Sequence, residues 1–171
     1  MMLCLCLGFS LSAQAKLVHL LPKPQSVAVT ENAAPFMLSG NVTVAYADGA
    51  ARCELLEEVF TNAGCALVPA GGKAVNVSLV KSIDGAHDYA LHGYENEAYT
   101  LEITGSEINI TAVTNTGVIR AAQTLTQLAE GWEGTPALEA LTMRDWPAFK
   151  LRGYMHDGGR SFISSDELVK Q

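Results

Sequence analysis

Basic residues are scarce in this chain. Its 171 residues hold 11 Lys and Arg against 18 Asp and Glu, a formal charge of −7, and the basic ones stand singly or in loose pairs. Without a cationic stripe there is nothing to displace the counterions of a phosphate backbone, so nucleic acid is not an expected partner. No apolar run reaches the roughly 20 residues that a bilayer-spanning helix needs, and no membrane span is expected. Cysteine is also sparse: Cys4 and Cys6 lie in the first eleven residues, leaving Cys53 and Cys65. The pattern between those two reads as a helix, which would set them about 18 Å apart, whereas a disulfide needs Cα atoms within about 7 Å. Both are expected as buried free thiols. His19, His87, His92 and His156 stand apart from one another, no Cys/His cluster has metal-ligand spacing, and neither a metal nor another cofactor is expected. A serine elbow, a phosphate-cradling glycine run and a carboxylate pair in a recognisable setting are all missing.

What is present is a globular composition. Hydrophobic residues make up 49% of the chain and charged residues 17%, which excludes a disordered or collagen-like chain. The length suits one domain of roughly 100–200 residues, which buries about 70% of its extended-chain surface.

The first fifteen residues read as an address. Met1 to Leu11 is an uncharged apolar run, followed by Ser12-Ala13-Gln14-Ala15 and then Lys16. This fits a secretory signal with cleavage after Ala15, although the usual basic n-region is lacking. A buried N-terminal strand or helix is the alternative. Export to the periplasm or beyond is the expectation; Cys4 and Cys6 do not precede a small mature residue, so their setting offers little for a lipid anchor.

Residues 16–149 read as one α+β domain. Pro22 and Pro24 lead in extended form to an edge strand at Ser26-Val27-Ala28-Val29, and Asn41 to Tyr46 alternates as a half-buried strand. Asp48 is placed to cap a helix from about Gly49 to Asn62, with Leu55, Leu56, Val59, Phe60 and Ala63 at helical spacing and Gly64 as its left-handed stop. A strand follows at Val75 to Val80. Alternation on both sides of Gly105-Ser106, from Ala98 to Ala112, predicts a hairpin with a type II′ turn. Thr114-Asn115-Thr116 offers caps for a helix from about Gly117 to Ala129, whose Val118, Ala121, Ala122, Leu125 and Leu128 share one face, and Gly131 ends it. Leu138 to Met143 reads as a last strand. The expected fold is an antiparallel or mixed sheet with two helices packed on one face. Tyr89, Tyr94 and Tyr99 could line a sugar-stacking surface, but their spacing of five favours core or scattered surface.

From Lys150 the pattern changes. Lys150-Leu151-Arg152-Gly153-Tyr154-Met155-His156-Asp157-Gly158-Gly159-Arg160 starts a strand carrying charges that a plain strand does not need, and Ser164-Ser165-Asp166-Glu167 is a capping box opening a helix. Arg152 is either paired structurally with Asp157 or directed into a pocket as a fork for hydroxyls or carboxylates.

The segment Arg152 to Phe162 resembles the opening of the catalytic barrel in family 20 glycoside hydrolases, the β-N-acetylhexosaminidases: Arg-Gly, three mostly apolar residues, Asp, two small residues, Arg-His-Phe. The preceding residues resemble that family's N-terminal accessory domain, in the start Leu20-Leu21-Pro22-Lys23-Pro24-Gln25, the hairpin Tyr99 to Ile103 and the helix Gly117 to Leu128. Ser161 departs from the family's His, and His156 stands where an apolar residue is common. By that resemblance residues 150–171 begin a (β/α)₈ barrel, Arg152 binds hydroxyls of the terminal sugar, and Asp157 and Arg160 organise the strand-to-helix turn. The partners implied are an N-acetylhexosamine-containing glycan and, within the same protein, the catalytic barrel.

The chemistry implied is retaining hydrolysis in which the substrate's acetamido oxygen attacks the anomeric carbon, outside the two-carboxylate scheme. An adjacent Asp-Glu pair on a later strand orients the acetamide and protonates the leaving oxygen. Here Asp166-Glu167 sits in the capping box, and the 22 residues from Lys150 fall far short of the about 250 that a barrel takes. No catalytic residue is therefore assigned, and the chain by itself is expected to be inactive, the amino-terminal part of an exported hydrolase. A stand-alone carbohydrate-associated module and the accessory domain of another glycosidase are the alternatives.

Overall fold

The computed structural model describes residues 20–47, 49–86, 96–130, 136–149, 152–153, 164 and 166. Within them the strands are β1 (Ser26–Val29), β2 (Phe36–Met37), β3 (Asn41–Tyr46), β4 (Ala66–Leu67), β5 (Lys73–Leu79), β6 (Tyr99–Ile103), β7 (Glu107–Ala112), β8 (Ala137–Leu138) and β9 (Leu141–Asp145). The helices are α1 (Glu54–Asn62) and α2 (Asn115–Ala129). Seven strands form one sheet in the order β1-β9-β6-β7-β5-β3-β4, while β2 and β8 pair separately. The large sheet is mixed: β4, β3, β5 and β7 run parallel, and β6, β9 and β1 add antiparallel neighbours.

Register explains why the sheet has one dry face. Val27, Met143, Leu101, Ile110, Val77 and Tyr46 stand side by side across six strands. So do Val29, Leu141, Ile103, Ile108, Val75 and Val44. Because side chains alternate along a strand, both rows project to the same side. The opposite side carries Thr142, Glu102, Asn109 and Asn76, and Asn76 Nδ2 donates to Asn109 Oδ1 at 2.9 Å. The apolar side is covered by α2, which packs on β6 and β7, and by α1 beside it. Leu56, Val59, Phe60, Val118, Ala121, Ala122, Leu125 and Leu128 join the strand residues in a single core, and Phe60 meets Phe36 edge to face at 6.5 Å. The anticipated face of α2 is buried as a whole.

Helix α1 is shorter than its sequence suggests. It begins at Glu54, because Gly49 takes φ +83 and the intervening backbone is engaged elsewhere. Ala51 N donates to Asn115 Oδ1 at 2.8 Å, and Cys53 N donates to Tyr46 Oη at 3.1 Å. The Tyr46 hydroxyl in turn donates to Cys53 O at 3.2 Å, and its pKa is pushed up to about 12, chiefly by burial. The expected cap, Asp48, lies outside the described residues. The helix ends as anticipated, with Gly64 at φ +89. Cys53 and Cys65 flank α1 as buried free thiols, and burial pushes the Cys65 thiol up.

Two further differences concern a turn and a short strand. Gly105 is not at positive φ, so the hairpin turn is not type II′. Its Cβ position would lie 2.9 Å from Ala34 O, and it is this close approach that requires glycine. The expected strand from Leu138 to Met143 is two strands, since residues 137–138 pair with β2 while 141–145 join the large sheet. Between them Ala140 O accepts from Thr30 N at 2.8 Å. Residues 1–15 and Gly131 lie outside the described residues, as does most of 150–171.

Candidate functional site

A cleft of about 550 Å³ opens where the first and last parts of the domain meet. Helix α2 supplies one wall with Arg120, Gln123, Thr124 and Gln127, spaced i, i+3, i+4 and i+7, which puts all four on one face. Tyr99 of β6 and Asp145 of β9 line it from the sheet, while Leu21, Pro22, Lys23 and Gln25 on one side and Trp146 to Phe149 on the other form its rims.

Side chains fasten the proline-rich start across this cleft. Gln127 closes a reciprocal pair with Leu21, accepting from Leu21 N at 2.9 Å and donating Nε2 to Leu21 O at 2.9 Å. Gln25 N donates to Asp145 Oδ1 and Gln25 Nε2 to Trp146 O, each at 3.2 Å. Tyr99 is core, as its spacing suggested, and its hydroxyl pairs with Thr124 Oγ1 at 2.7 Å and donates to Asp145 Oδ2 at 3.4 Å. Burial pushes the Tyr99 hydroxyl up. Burial also raises the Asp145 carboxyl above its usual range, opposed by hydrogen bonds from the Gln25 and Trp146 backbones and from Tyr99.

The second carboxylate of the cleft is Glu97. Its Oε2 accepts from Arg120 Nε at 2.6 Å, and its Oε1 accepts from Arg152 Nη2. Arg120 Nη1 reaches Gln123 Oε1 at 3.0 Å. Arg152 therefore lines the cleft in an ion pair with Glu97, a partner absent from the sequence reading. Asp157, Arg160, Tyr89 and Tyr94 lie outside the described residues. Glu97 carries no local motif; the signal that could have pointed to Arg120 is the polar i, i+3, i+4, i+7 stripe of α2. Both carboxylates of the cleft are committed to holding chain segments together. The described residues contain no group of three His, Cys, Asp or Glu able to hold a metal ion, and no helix long and apolar enough to cross a membrane.

The domain is a mixed sheet with two helices on its dry face, and the carboxylates of its cleft tie separate chain segments together. Over residues 18–146 the chain matches glycosyl hydrolase family 20, domain 2, and it belongs to that family. It is 39% identical over 83 residues to beta-hexosaminidase 1 of Coccidioides posadasii, an alignment taking in 47% of this chain and 14% of that enzyme. Among solved structures, a beta-N-acetylhexosaminidase from Bacteroides fragilis shares the fold with a TM-score of 0.65 and 18% identity, over 88% of this chain and 29% of that one. An exo-beta-N-acetylglucosaminidase from Vibrio harveyi, solved with N-acetylglucosamine, matches at a TM-score of 0.63 and 27% identity, over 88% of this chain and 22% of that one. The chain thus spans a minor part of each relative.

Proposed function

We propose that this chain is the accessory domain, followed by the first barrel strand, of an exported β-N-acetylhexosaminidase that removes terminal N-acetylhexosamine from glycans. The observation that carries the reading is the family match over residues 18–146, with Arg152-Gly153 shortly after the matched domain. In this reading Arg152 binds hydroxyls of the terminal sugar, its planar N–H donors suiting vicinal oxygens, and Asp157 and Arg160 support the turn that follows. The substrate's acetamido oxygen attacks the anomeric carbon, while an Asp-Glu pair on a later strand orients it and protonates the departing oxygen. Residues 1–171 by themselves do not hydrolyse glycans; turnover belongs to the protein in which they continue through a barrel.

Dependence on the acetamide tests the mechanism. The barrel-containing protein should hydrolyse 4-nitrophenyl N-acetyl-β-D-glucosaminide, give the β-anomer as first product by NMR, and leave the corresponding β-glucoside untouched. An inverted product, or equal turnover of the glucoside, would overturn it.

A further inference from the structure

Glu97 joins two stretches that the sequence treats as separate: the α+β domain and the segment that carries Arg152. Its side chain is 14% exposed and sits between two guanidiniums, Arg120 of α2 and Arg152. A structural ion pair needs one cation. The second adds positive charge beside the first, which is favourable only while the carboxylate lies between them. Arg120 is braced by Gln123, and the backbone at Glu97 is fixed too: Thr114, the N-cap of α2, donates Oγ1 to Asn96 O at 2.6 Å. The anchored side of the cluster is therefore rigid, and Arg152 is the member brought to it. Phe149, shortly before Arg152, is 73% exposed.

We propose that Glu97 is a positioning residue that clasps the segment carrying Arg152 onto the α+β domain, so that a three-membered ion cluster fixes the path by which the chain leaves it. Arginine has five N–H donors and Glu97 engages one nitrogen, so the clasp leaves donors for a sugar. The clasp itself does not rest on the sugar-binding reading of Arg152; only its consequence for catalysis does.

A double-mutant cycle in urea, on the 171-residue chain, tests it. Arg152→Gln should be destabilising beside Glu97, but neutral or stabilising in the Glu97→Gln background, where Arg120 and Arg152 are left to repel each other. The coupling should change the unfolding constant by about two- to fivefold at low salt and fade at 1 M NaCl. An equal effect of Arg152→Gln in both backgrounds would overturn the clasp. Should Glu97→Gln not fold, the arginine side-chain NMR signals of the unmutated chain decide: the clasp requires resolved Arg152 Nη protons at low salt that coalesce at 1 M NaCl, and averaged signals at low salt contradict it. The sugar-binding reading fails separately, if Arg152→Ala leaves kcat/KM of the barrel-containing protein unchanged while the coupling persists.

Discussion

Tyr99→Phe isolates one hydroxyl in the floor of the cleft. The ring is 1% exposed and remains in place, so apolar burial is preserved. What is lost is the 2.7 Å bond with Thr124 and the 3.4 Å bond donated to Asp145. A neutral hydrogen bond is worth about 1 kcal/mol net and one to a charged group about 1.5–3 kcal/mol, and the length of the second bond places it at or below the weak end. A loss of about 1.5–2.5 kcal/mol is expected, or roughly 2–4 °C in Tm for each kcal/mol. The loss depends on pH. Burial holds the Asp145 carboxyl above its ordinary range, so its contribution to stability is complete below that range and is lost as pH rises through the folded value. The Tyr99 hydroxyl works the other way, by favouring the charged carboxylate. Its removal lifts the folded value further, so the variant should lose more at pH 7.5 than at pH 3.5, by about 1.4 kcal/mol for each further pKa unit. Urea unfolding of both proteins at both pH values measures this, with m unchanged. A loss under about 0.5 kcal/mol, or one equal at the two pH values, would refute the reasoning.

Other outcomes follow from single contacts. Gly117→Ala would set a Cβ 2.7 Å from Ala98 O and 3.1 Å from Ala112 Cβ, so overpacking should destabilise the chain by about 1–3 kcal/mol in the same urea assay. Arg52 holds the Glu57 carboxyl below its usual range by a two-toothed hydrogen bond. Its contribution is present above that range and lost as pH falls through the lowered folded value, so thermal melts of Glu57→Gln and the unmutated chain should differ at pH 7 and converge in acid. In the barrel-containing protein, Arg152→Ala should lower kcat/KM by an amount equivalent to about 1.5–3 kcal/mol of transition-state binding.

The sequence made the fold legible wherever period alone decides. The alternation of Asn41 to Tyr46 and of Tyr99 to Ala112, and the apolar stripe of α2, each lie within one segment, and each element formed where its pattern placed it. The two-residue strands β2 and β4 escaped notice, and β8 was merged with β9, because their existence depends on distant partners, Phe36 on Leu138 and Asn41 on Ala66. The start of α1 was misplaced for the same reason, since the Tyr46 hydroxyl and Asn115 capture the backbone that a local reading assigns to a first turn. In the cleft, Arg152 stood out because a charged residue in an apolar run invites a partner. Arg120 was signalled only by the polar stripe of α2 and Glu97 by nothing, because no local pattern indicates that a loop before β6, a helix face and the segment beyond β9 converge.

The most direct measurement of the central claim compares two proteins on 4-nitrophenyl N-acetyl-β-D-glucosaminide: the 171-residue chain, and the same chain continued through a family 20 barrel. The short chain should fold cooperatively yet release no nitrophenol, while the longer one should turn the substrate over. Hydrolysis by the short chain alone, or a folded but inert longer protein, would contradict it.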